Sequence, residues 1–191
     1  MENEPVRKVE LMNLQTERLI LRRFTHGDWM DLHEYLSDEN VVKYEPYGVL
    51  TADDCVLEAQ RRSEDEAFRA VCLENDKLIG NVYFKRQEPT EYLTWEIGFV
   101  FNAQYQKKGY ASEACRRILR YAFEELGAHR IIGMCNPENS ASRRLMERLG
   151  MRREGQLKKS AFFSKAPDGK PLWHDAYQYA ILEEEWFKQH A

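Results

Sequence analysis

The chain has 191 residues, of which 43% are hydrophobic and 31% charged, and its formal net charge is −4. These values predict one soluble domain with a buried core, and they exclude a disordered or fibrous chain. The negative charge argues against nucleic acid as a partner, and no apolar run approaches the roughly 20 residues that a membrane span requires.

The first half of the sequence predicts a short lead-in followed by strands and helices. Residues 1–13 form the lead-in; they are charged and lack the apolar segment of a signal peptide, so we expect a cytoplasmic protein without a membrane partner. The domain itself is expected over 14–187. Periodicity and turn residues then predict a strand over 18–24, a helix over 28–36, a loop over 41–48, a helix over 51–62, and strands over 67–73 and 78–84 joined by the polar turn 74–77.

The stretch from Thr94 to Leu126 changes from strand to helix within a few residues. Alternating apolar side chains predict a strand over 94–101, and the i, i+3, i+4 spacing that begins at Ala111 predicts a long helix after the turn that ends in Gly109. The remaining elements are a strand over 130–135, a helix over 140–149, strands over 151–163 and 173–182 around a loop at 165–171, and a helix over 183–189. The strand–helix–strand unit predicts a parallel, right-handed crossover within an α+β domain.

The four cysteines lie far apart, at Cys55, Cys72, Cys115 and Cys135. Zinc ribbons and redox motifs need two cysteines in a C-x-x-C pair, which this sequence lacks. We therefore predict buried or partly buried thiols and no metal site.

The turn before the long helix has the features of an anion site. The first turn of a helix leaves backbone N–H groups without partners, and the helix dipole adds positive potential there. Gly109 leaves the backbone bare for close approach of a phosphate, and Lys107 and Lys108 add positive charge. The alternative is an ordinary strand–turn–helix connection whose lysines face water.

The residues of this turn also carry a family resemblance. Gln106-x-x-Gly109-x-Ala111 matches the Q/R-x-x-G-x-G/A signature of the GNAT acyltransferases, which the chain resembles from about Leu14 to Trp186. The segment EIGFVFNAQYQKKGYASEA is most similar to the ribosomal-protein N-terminal acetyltransferases. The resemblance implies a single α+β GNAT-like domain with a mixed, mostly antiparallel central sheet of about seven strands and helices on both faces. It also implies that acetyl-coenzyme A (acetyl-CoA) is the cosubstrate.

The resemblance further implies which residues contact acetyl-CoA. Main-chain groups of the central strand pair with the pantetheine arm, and one N–H polarises the thioester carbonyl; these groups belong to Phe99, Val100 and Phe101. Gln106 opens the signature of the loop that wraps the pyrophosphate. The donors to the pyrophosphate are the backbone N–H groups of Lys107, Lys108, Gly109, Tyr110, Ala111 and Ser112.

A second motif, Asn139-x-x-Ser142-x-x-x-Met146-x-x-x-Gly150-Met151, resembles the family pattern N-x-x-A-x-x-x-Y-x-x-x-G-F. It implies a hydrogen bond from Asn139 to pantetheine; helix capping is the alternative. Ser142 resembles the serine that the ribosomal enzymes place near the CoA thiolate, although a serine is also common in a first helical turn. Met146 replaces the tyrosine that many relatives use as an acid. Because a thioether has no proton to give, Met146 is expected in the core or the pocket wall.

Acyl transfer to an amine also requires a base that takes the proton of the amine. Glu96 is the first candidate. It lies on the strand that the resemblance places beside the acetyl group, and its side chain faces the opposite side of the sheet from those of Trp95, Ile97 and Phe99. A solvated carboxylate or a structural ion pair is the alternative. His174 and Asp175 on the last strand are the next candidates, and Ala161 stands where the ribosomal enzymes carry a glutamate.

For the acceptor, the sequence offers aromatic and acidic side chains, at Trp29, Tyr44, Glu45, Tyr47 and Trp95. The acidic groups suit a cationic amine such as a peptide N-terminus, whereas the two tryptophans fit the core equally well.

From the resemblance we expect an N-acetyltransferase, monomeric or homodimeric, that moves acetyl directly to a primary amine of a protein N-terminus or a small molecule. The alternative is a GNAT-like domain that binds acyl-CoA as a sensor or assembly module without turnover.

Overall fold

The computed structural model describes residues 13–190, so nearly all of the predicted lead-in lies outside the described residues. The strands are β1 Leu14–Gln15, β2 Leu19–Arg22, β3 Phe68–Leu73, β4 Leu78–Arg86, β5 Thr94–Phe101, β6 Arg130–Cys135, β7 Arg152–Lys165 and β8 Pro171–Leu182. The helices are α1 Trp29–Leu36, α2 Glu39–Val42, α3 Ala52–Glu64, α4 Tyr110–Glu124, α5 Ser140–Arg148 and α6 Glu183–His190. Among these helices, none is long and apolar enough to cross a membrane.

One mixed sheet contains all eight of these strands, in the order β1-β2-β3-β4-β5-β6-β8-β7. Every pair is antiparallel except β5–β6, which the α4 crossover makes parallel. The predicted α+β architecture is therefore confirmed, with one strand more than the expected seven because Leu14 and Gln15 pair with Leu21 and Ile20. The loop expected over 41–48 begins later than predicted, since Asp38 caps the short helix α2.

Helices cover both faces of the sheet, as the resemblance implied. On one face, Ile118 and Leu119 of α4 pack into a core that includes Trp186 of α6. On the other face, Leu32 and Leu36 of α1 pack with α3 in a second core. The sheet is therefore fixed from both sides, and its strands can hold backbone groups in place for a ligand.

At the centre of the sheet, β5 and β6 separate after three paired residues, and the gap between them is called the fork below. Strand β5 pairs with β4 along its length, from Trp95 opposite Arg86 to Phe101 opposite Gly80. Its pairing with β6 covers only Thr94, Trp95 and Glu96. From Ile97 onward, β5 has no strand partner on the β6 side among residues 13–190, and helix α4 begins shortly after β5 ends. The fork therefore leaves a sheet edge free at the point where the predicted anion-binding turn lies.

The cysteines are confirmed as buried free thiols, and burial raises the pKa of each of them. A thiol with a raised pKa carries little thiolate at neutral pH, so none of the four is a competent nucleophile. Within residues 13–190, no group of three His, Cys, Asp or Glu side chains is arranged to hold a metal ion.

Candidate active site

Two cavities meet at the fork between β5 and β6. The small cavity, of about 620 Å³, lies beside the turn before α4. The large cavity, of about 890 Å³, lies beside the loop between α2 and α3 and the β7–β8 hairpin. Both are lined by Phe99 and Val100 of β5 and by Asn139 and Ser142 at the start of α5. The two cavities therefore adjoin at these shared residues, and together they are called the channel below.

The turn before α4 presents a run of free amides. No backbone N–H from residue 107 to residue 112 has an acceptor among the described residues. The first backbone hydrogen bond of helix α4 is donated by the Glu113 N–H to the Gly109 carbonyl. Lys107 and Gly109 both have positive φ, 60° and 87°. Left-handed residues in such a turn gather successive N–H groups into a concave site for an anion. The residues present therefore fit a pyrophosphate.

Gln106 has a structural contact in the same turn. Its backbone N–H donates to the Ala103 carbonyl at 3.2 Å, and its side-chain Nε2 donates to the Phe101 carbonyl at 3.3 Å. Gln106 thus fixes the turn to the end of β5, and its N–H is not among the free amides.

The small cavity brings together most residues of the predicted cofactor site. Those lining it are Phe99, Val100, Phe101, Gln106, Lys107, Gly109, Tyr110, Ala111, Ser112, Asn139 and Ser142. Lys108 does not line it: its Nζ lies 5.3 Å from the ring centroid of Tyr105, and its carbonyl accepts a hydrogen bond from Arg18. Lys108 can therefore contribute its amide to the turn, while its ammonium group points elsewhere.

Two arginines of α5 that the sequence analysis missed also line the small cavity. Arg144 and Arg148 lie four residues apart and so share one face of the helix. Nε of Arg148 donates to the Ser112 hydroxyl at 3.3 Å, which joins α5 to the first turn of α4. With Lys107 they place three cationic side chains in the lining of this cavity, against the two carboxylates of Glu45 and Glu138. The sequence signal for the two arginines was an i, i+4 arginine pair at the variable positions within the second motif.

A third residue that the sequence did not indicate, Arg18, holds the turn by hydrogen bonds. Arg18 donates through Nη1 to the Lys108 carbonyl at 3.2 Å and through Nη2 and Nε to Glu113 at 2.5 and 2.8 Å. Thr16 also donates to Glu113, at 2.6 Å. Burial acts to raise the pKa of Glu113, but the bonds from Thr16 and Arg18 outweigh it and lower that pKa. Arg18 therefore connects β2 to both ends of the free-amide turn.

Replacing Arg18 by alanine should weaken CoA binding about tenfold, the effect of losing one charge-assisted hydrogen bond to the turn. Isothermal titration calorimetry with CoA measures this. Arg23→Ala is the matched control, because Arg23 follows the same strand and is equally exposed, yet pairs with Glu66 away from the turn. Equal CoA affinity in the two variants would show that Arg18 does not position the turn.

At the junction of the cavities, Asn139 and Ser142 are linked to each other. The side-chain oxygen of Asn139 accepts from the Ser142 N–H at 3.0 Å, so Asn139 caps α5. Its amide nitrogen makes no hydrogen bond with a described residue, so capping leaves a donor for a ligand. The Ser142 hydroxyl likewise has no partner in the described part of the chain. Met146 is 1% exposed and lies in the core rather than in either cavity wall.

Glu96 lies in the wall of the large cavity, close to where β5 and β6 separate. Its backbone is opposite Lys85 on β4 and Ile132 on β6, which fixes the side chain on the cavity face. The carboxylate is half-buried and forms no hydrogen bond or ion pair with a described residue. Burial raises its pKa. A half-buried, unpaired carboxylate with a raised pKa is suited to accept a proton near neutral pH.

The other predicted base candidates also line the large cavity, on β8. Asp175 accepts a backbone hydrogen bond from Lys159 at 2.9 Å and a side-chain bond from Gln156 at 2.8 Å; these bonds lower its pKa and make it a weaker base. The His174 ring stacks on Phe163 with the centroids 5.6 Å apart. Ala161, on the opposing strand, contributes to the same wall.

The aromatic residues considered for the acceptor divide into two groups. Trp95 stacks on Phe84 with centroids 4.6 Å apart, and Trp29 packs against the α1–α3 core; neither is among the residues that line the two cavities described above. Tyr44 and Tyr47 line the large cavity together with Glu45. Both tryptophans therefore pack against the core, as the alternative prediction had it, whereas Tyr44, Glu45 and Tyr47 of the loop between α2 and α3 line the large cavity.

Comparison with known proteins agrees with this architecture. The family model described as acetyltransferase (GNAT) domain matches residues 18–152. The uncharacterized N-acetyltransferase YnaD of Bacillus subtilis (strain 168) is 46% identical over 177 residues, 92% of this chain and 99% of that protein. A crystal structure of a GNAT-family acetyltransferase from Bacillus anthracis is 44% identical with a TM-score of 0.80, over 91% of this chain and 99% of that chain.

The predicted similarity to the ribosomal-protein N-terminal acetyltransferases is supported over a shorter part of the chain. YdaF of Bacillus subtilis (strain 168), a candidate ribosomal N-acetyltransferase, is 32% identical over 91 residues, which are 48% of this chain and 46% of that protein. The full-length similarity to YnaD and the match of the family model decide the family. The chain belongs to the GNAT acetyltransferases.

Proposed function

We propose that this protein is an acetyl-CoA-dependent N-acetyltransferase, with its domain over 14–187, that acetylates a primary amine directly. The observation that carries the proposal is that two adjoining cavities share Asn139 and Ser142 in their walls: free amides suited to a pyrophosphate line one cavity, and the unpaired Glu96 carboxylate lines the other. The junction at Ser142 is where a thioester and an amine would meet. A protein N-terminus and a small amine are both compatible with this reaction.

The residues of the small cavity would hold acetyl-CoA as substrate. The N–H groups of residues 107–112 would donate hydrogen bonds to the pyrophosphate, with Lys107, Arg144 and Arg148 adding positive charge. The free edge of β5 beyond Ile97 would pair with the pantetheine amides, and the Asn139 amide nitrogen would donate to the same arm. Once bound, acetyl-CoA supplies an acetyl group that is already activated as a thioester, so no covalent enzyme intermediate is required.

Two side chains would handle the protons. Glu96 accepts the proton that the attacking amine loses, directly or through a water molecule, which keeps the nitrogen lone pair available. The Ser142 hydroxyl donates a hydrogen bond to the sulfur as the carbon–sulfur bond breaks and the carbon–nitrogen bond forms. The N-terminal end of α5 adds positive potential beside that sulfur. Met146 takes no part, since its thioether is buried in the core.

Release of free CoA thiol tests the proposal. The full-length protein with acetyl-CoA should release thiol only when an amine is added, and the acetylated amine should appear in equal amount by mass spectrometry. A panel of peptides and small amines is required, because the acceptor is not assigned. If the protein binds acetyl-CoA in calorimetry but releases no thiol with any amine, the non-catalytic sensor is the better description.

A further inference from the structure

Two partly buried carboxylates in the described chain have no partner, and both face the large cavity. The other partly or fully buried acids of residues 13–190 are hydrogen-bonded or ion-paired, as Glu58 is with Arg62 and Asp31 with Lys77. Glu45 and Glu96 are the exceptions: neither side chain takes part in any hydrogen bond or ion pair among these residues. A half-buried carboxylate is costly without a counter-charge, so these two suit a cationic ligand.

Glu45 is the third residue of the loop between α2 and α3. It lines both cavities, so it borders the junction where the reacting groups would meet. Burial raises its pKa to about 7, against an opposing effect of Arg62. A cation bound beside it would restore the ordinary carboxylate pKa and stabilise the charged form. Lys43, an exposed cation that lines the same cavity, makes no ion pair with Glu45; its Nζ lies over the Tyr44 ring, 5.1 Å from the ring centroid.

Asn81 provides an independent sign that this wall is built for a polar ligand. It is 2% exposed and lines the large cavity. Its side-chain oxygen accepts from Tyr35 and from Arg62, both at 2.9 Å. Because a guanidinium can only donate, the oxygen must face Arg62, and this fixes the orientation of the amide. The amide nitrogen is left without a partner among the described residues, as a donor in the cavity wall.

We infer that the acceptor is a small polar amine that carries a second cationic group: Glu96 faces the nitrogen to be acetylated, and Glu45 binds the second cation. The inference rests on the proposed function and narrows its substrate class. The unpartnered Asn81 amide adds a donor to the same wall, which favours a water-soluble polyfunctional amine over an aliphatic monoamine. The reaction is unchanged: one carbon–nitrogen bond forms and one carbon–sulfur bond breaks. The second ammonium group keeps its proton and remains paired with the Glu45 carboxylate.

A matched pair of acceptors tests this directly. Cadaverine and pentylamine have the same carbon chain and differ only in the second amino group. With the full-length protein at neutral pH, we expect kcat/KM from thiol release to be at least about tenfold higher for cadaverine, the effect of one charge-assisted contact. Glu45→Gln should remove this preference by lowering kcat/KM for cadaverine about tenfold, with little change for pentylamine.

The controls separate this inference from the proposed function. Glu39→Gln removes an exposed carboxylate at the cavity mouth and should keep the preference for cadaverine. Thermal unfolding and CoA affinity of Glu45→Gln show whether the variant is folded. Equal kcat/KM for the two amines, or a preference that survives Glu45→Gln, would overturn the inference and leave the acetyltransferase activity standing. Bound acetyl-CoA without thiol release from any amine would overturn both.

Discussion

Replacing Gly109 by valine should weaken CoA binding about a hundredfold or more. Gly109 has φ +87°, a left-handed conformation that a β-branched residue adopts only with strain, and a Cβ there would lie 3.3 Å from Nη2 of Arg18. The turn must rearrange to accept the side chain, and its free amides then no longer converge. A hundredfold loss corresponds to ~2.7 kcal/mol, within reach of strain and lost anion contacts together. Calorimetric titration with CoA measures the change.

Gly127→Val is the matched control for this variant. Gly127 also has positive φ, 62°, but nothing lies within 4 Å of a Cβ at that position. It follows the far end of α4, about 20 Å along the helix from Gly109. We expect this variant to lose stability without losing CoA affinity. A folded Gly109→Val protein that binds CoA as the wild type does would show that the turn is an ordinary connection.

Glu96→Gln should lower kcat about a hundredfold, at the lower end of what a general base contributes, with little change in KM for acetyl-CoA. Glutamine keeps the shape and the cavity position but cannot accept the proton of the amine. Steady-state thiol release at saturating acetyl-CoA measures the effect. Glu138→Gln, which removes an exposed carboxylate on the other side of the channel, should be close to wild type.

The pH profile distinguishes a base from a merely structural carboxylate. Burial raises the pKa of Glu96, and the group acts only when deprotonated, so kcat/KM should rise with pH through that raised pKa and level off above it. Pentylamine is the acceptor for this test, because it has no second cation for Glu45. In Glu96→Gln, kcat/KM should no longer rise through the pKa of Glu96. The rise at higher pH, which comes from deprotonation of pentylamine itself, should remain. An unchanged profile with full activity would exclude Glu96; a loss of the lower-pH rise in His174→Gln instead would assign the base to His174.

The sequence predicted the regular elements and the turn before α4 because both depend on local patterns. Apolar alternation along β5 and helical spacing along α4 report which side chains face the core. The turn is a contiguous segment whose glycine and helix start are visible in sequence. The two-residue strand β1 was missed because it is a strand only through its pairing with β2.

The contacts that support the site were not predictable in the same way. Arg18 and Glu113 are 95 residues apart, and nothing in either segment indicates that the fold joins them. Glu45 was recognisable as an acid near the acceptor, but its missing partner depends on what the folded loop leaves around it. Asn139 could be read as a cap or a ligand, and the structure shows that one side chain can cap with its oxygen and leave its nitrogen free.

A crystal structure of the protein with bound CoA would show whether the turn before α4 holds the pyrophosphate. We expect pyrophosphate oxygens about 3 Å from the amide nitrogens of residues 107–112, and pantetheine along the free edge of β5 beyond Ile97. CoA density at another surface, with the fork filled by side chains, would contradict this expectation.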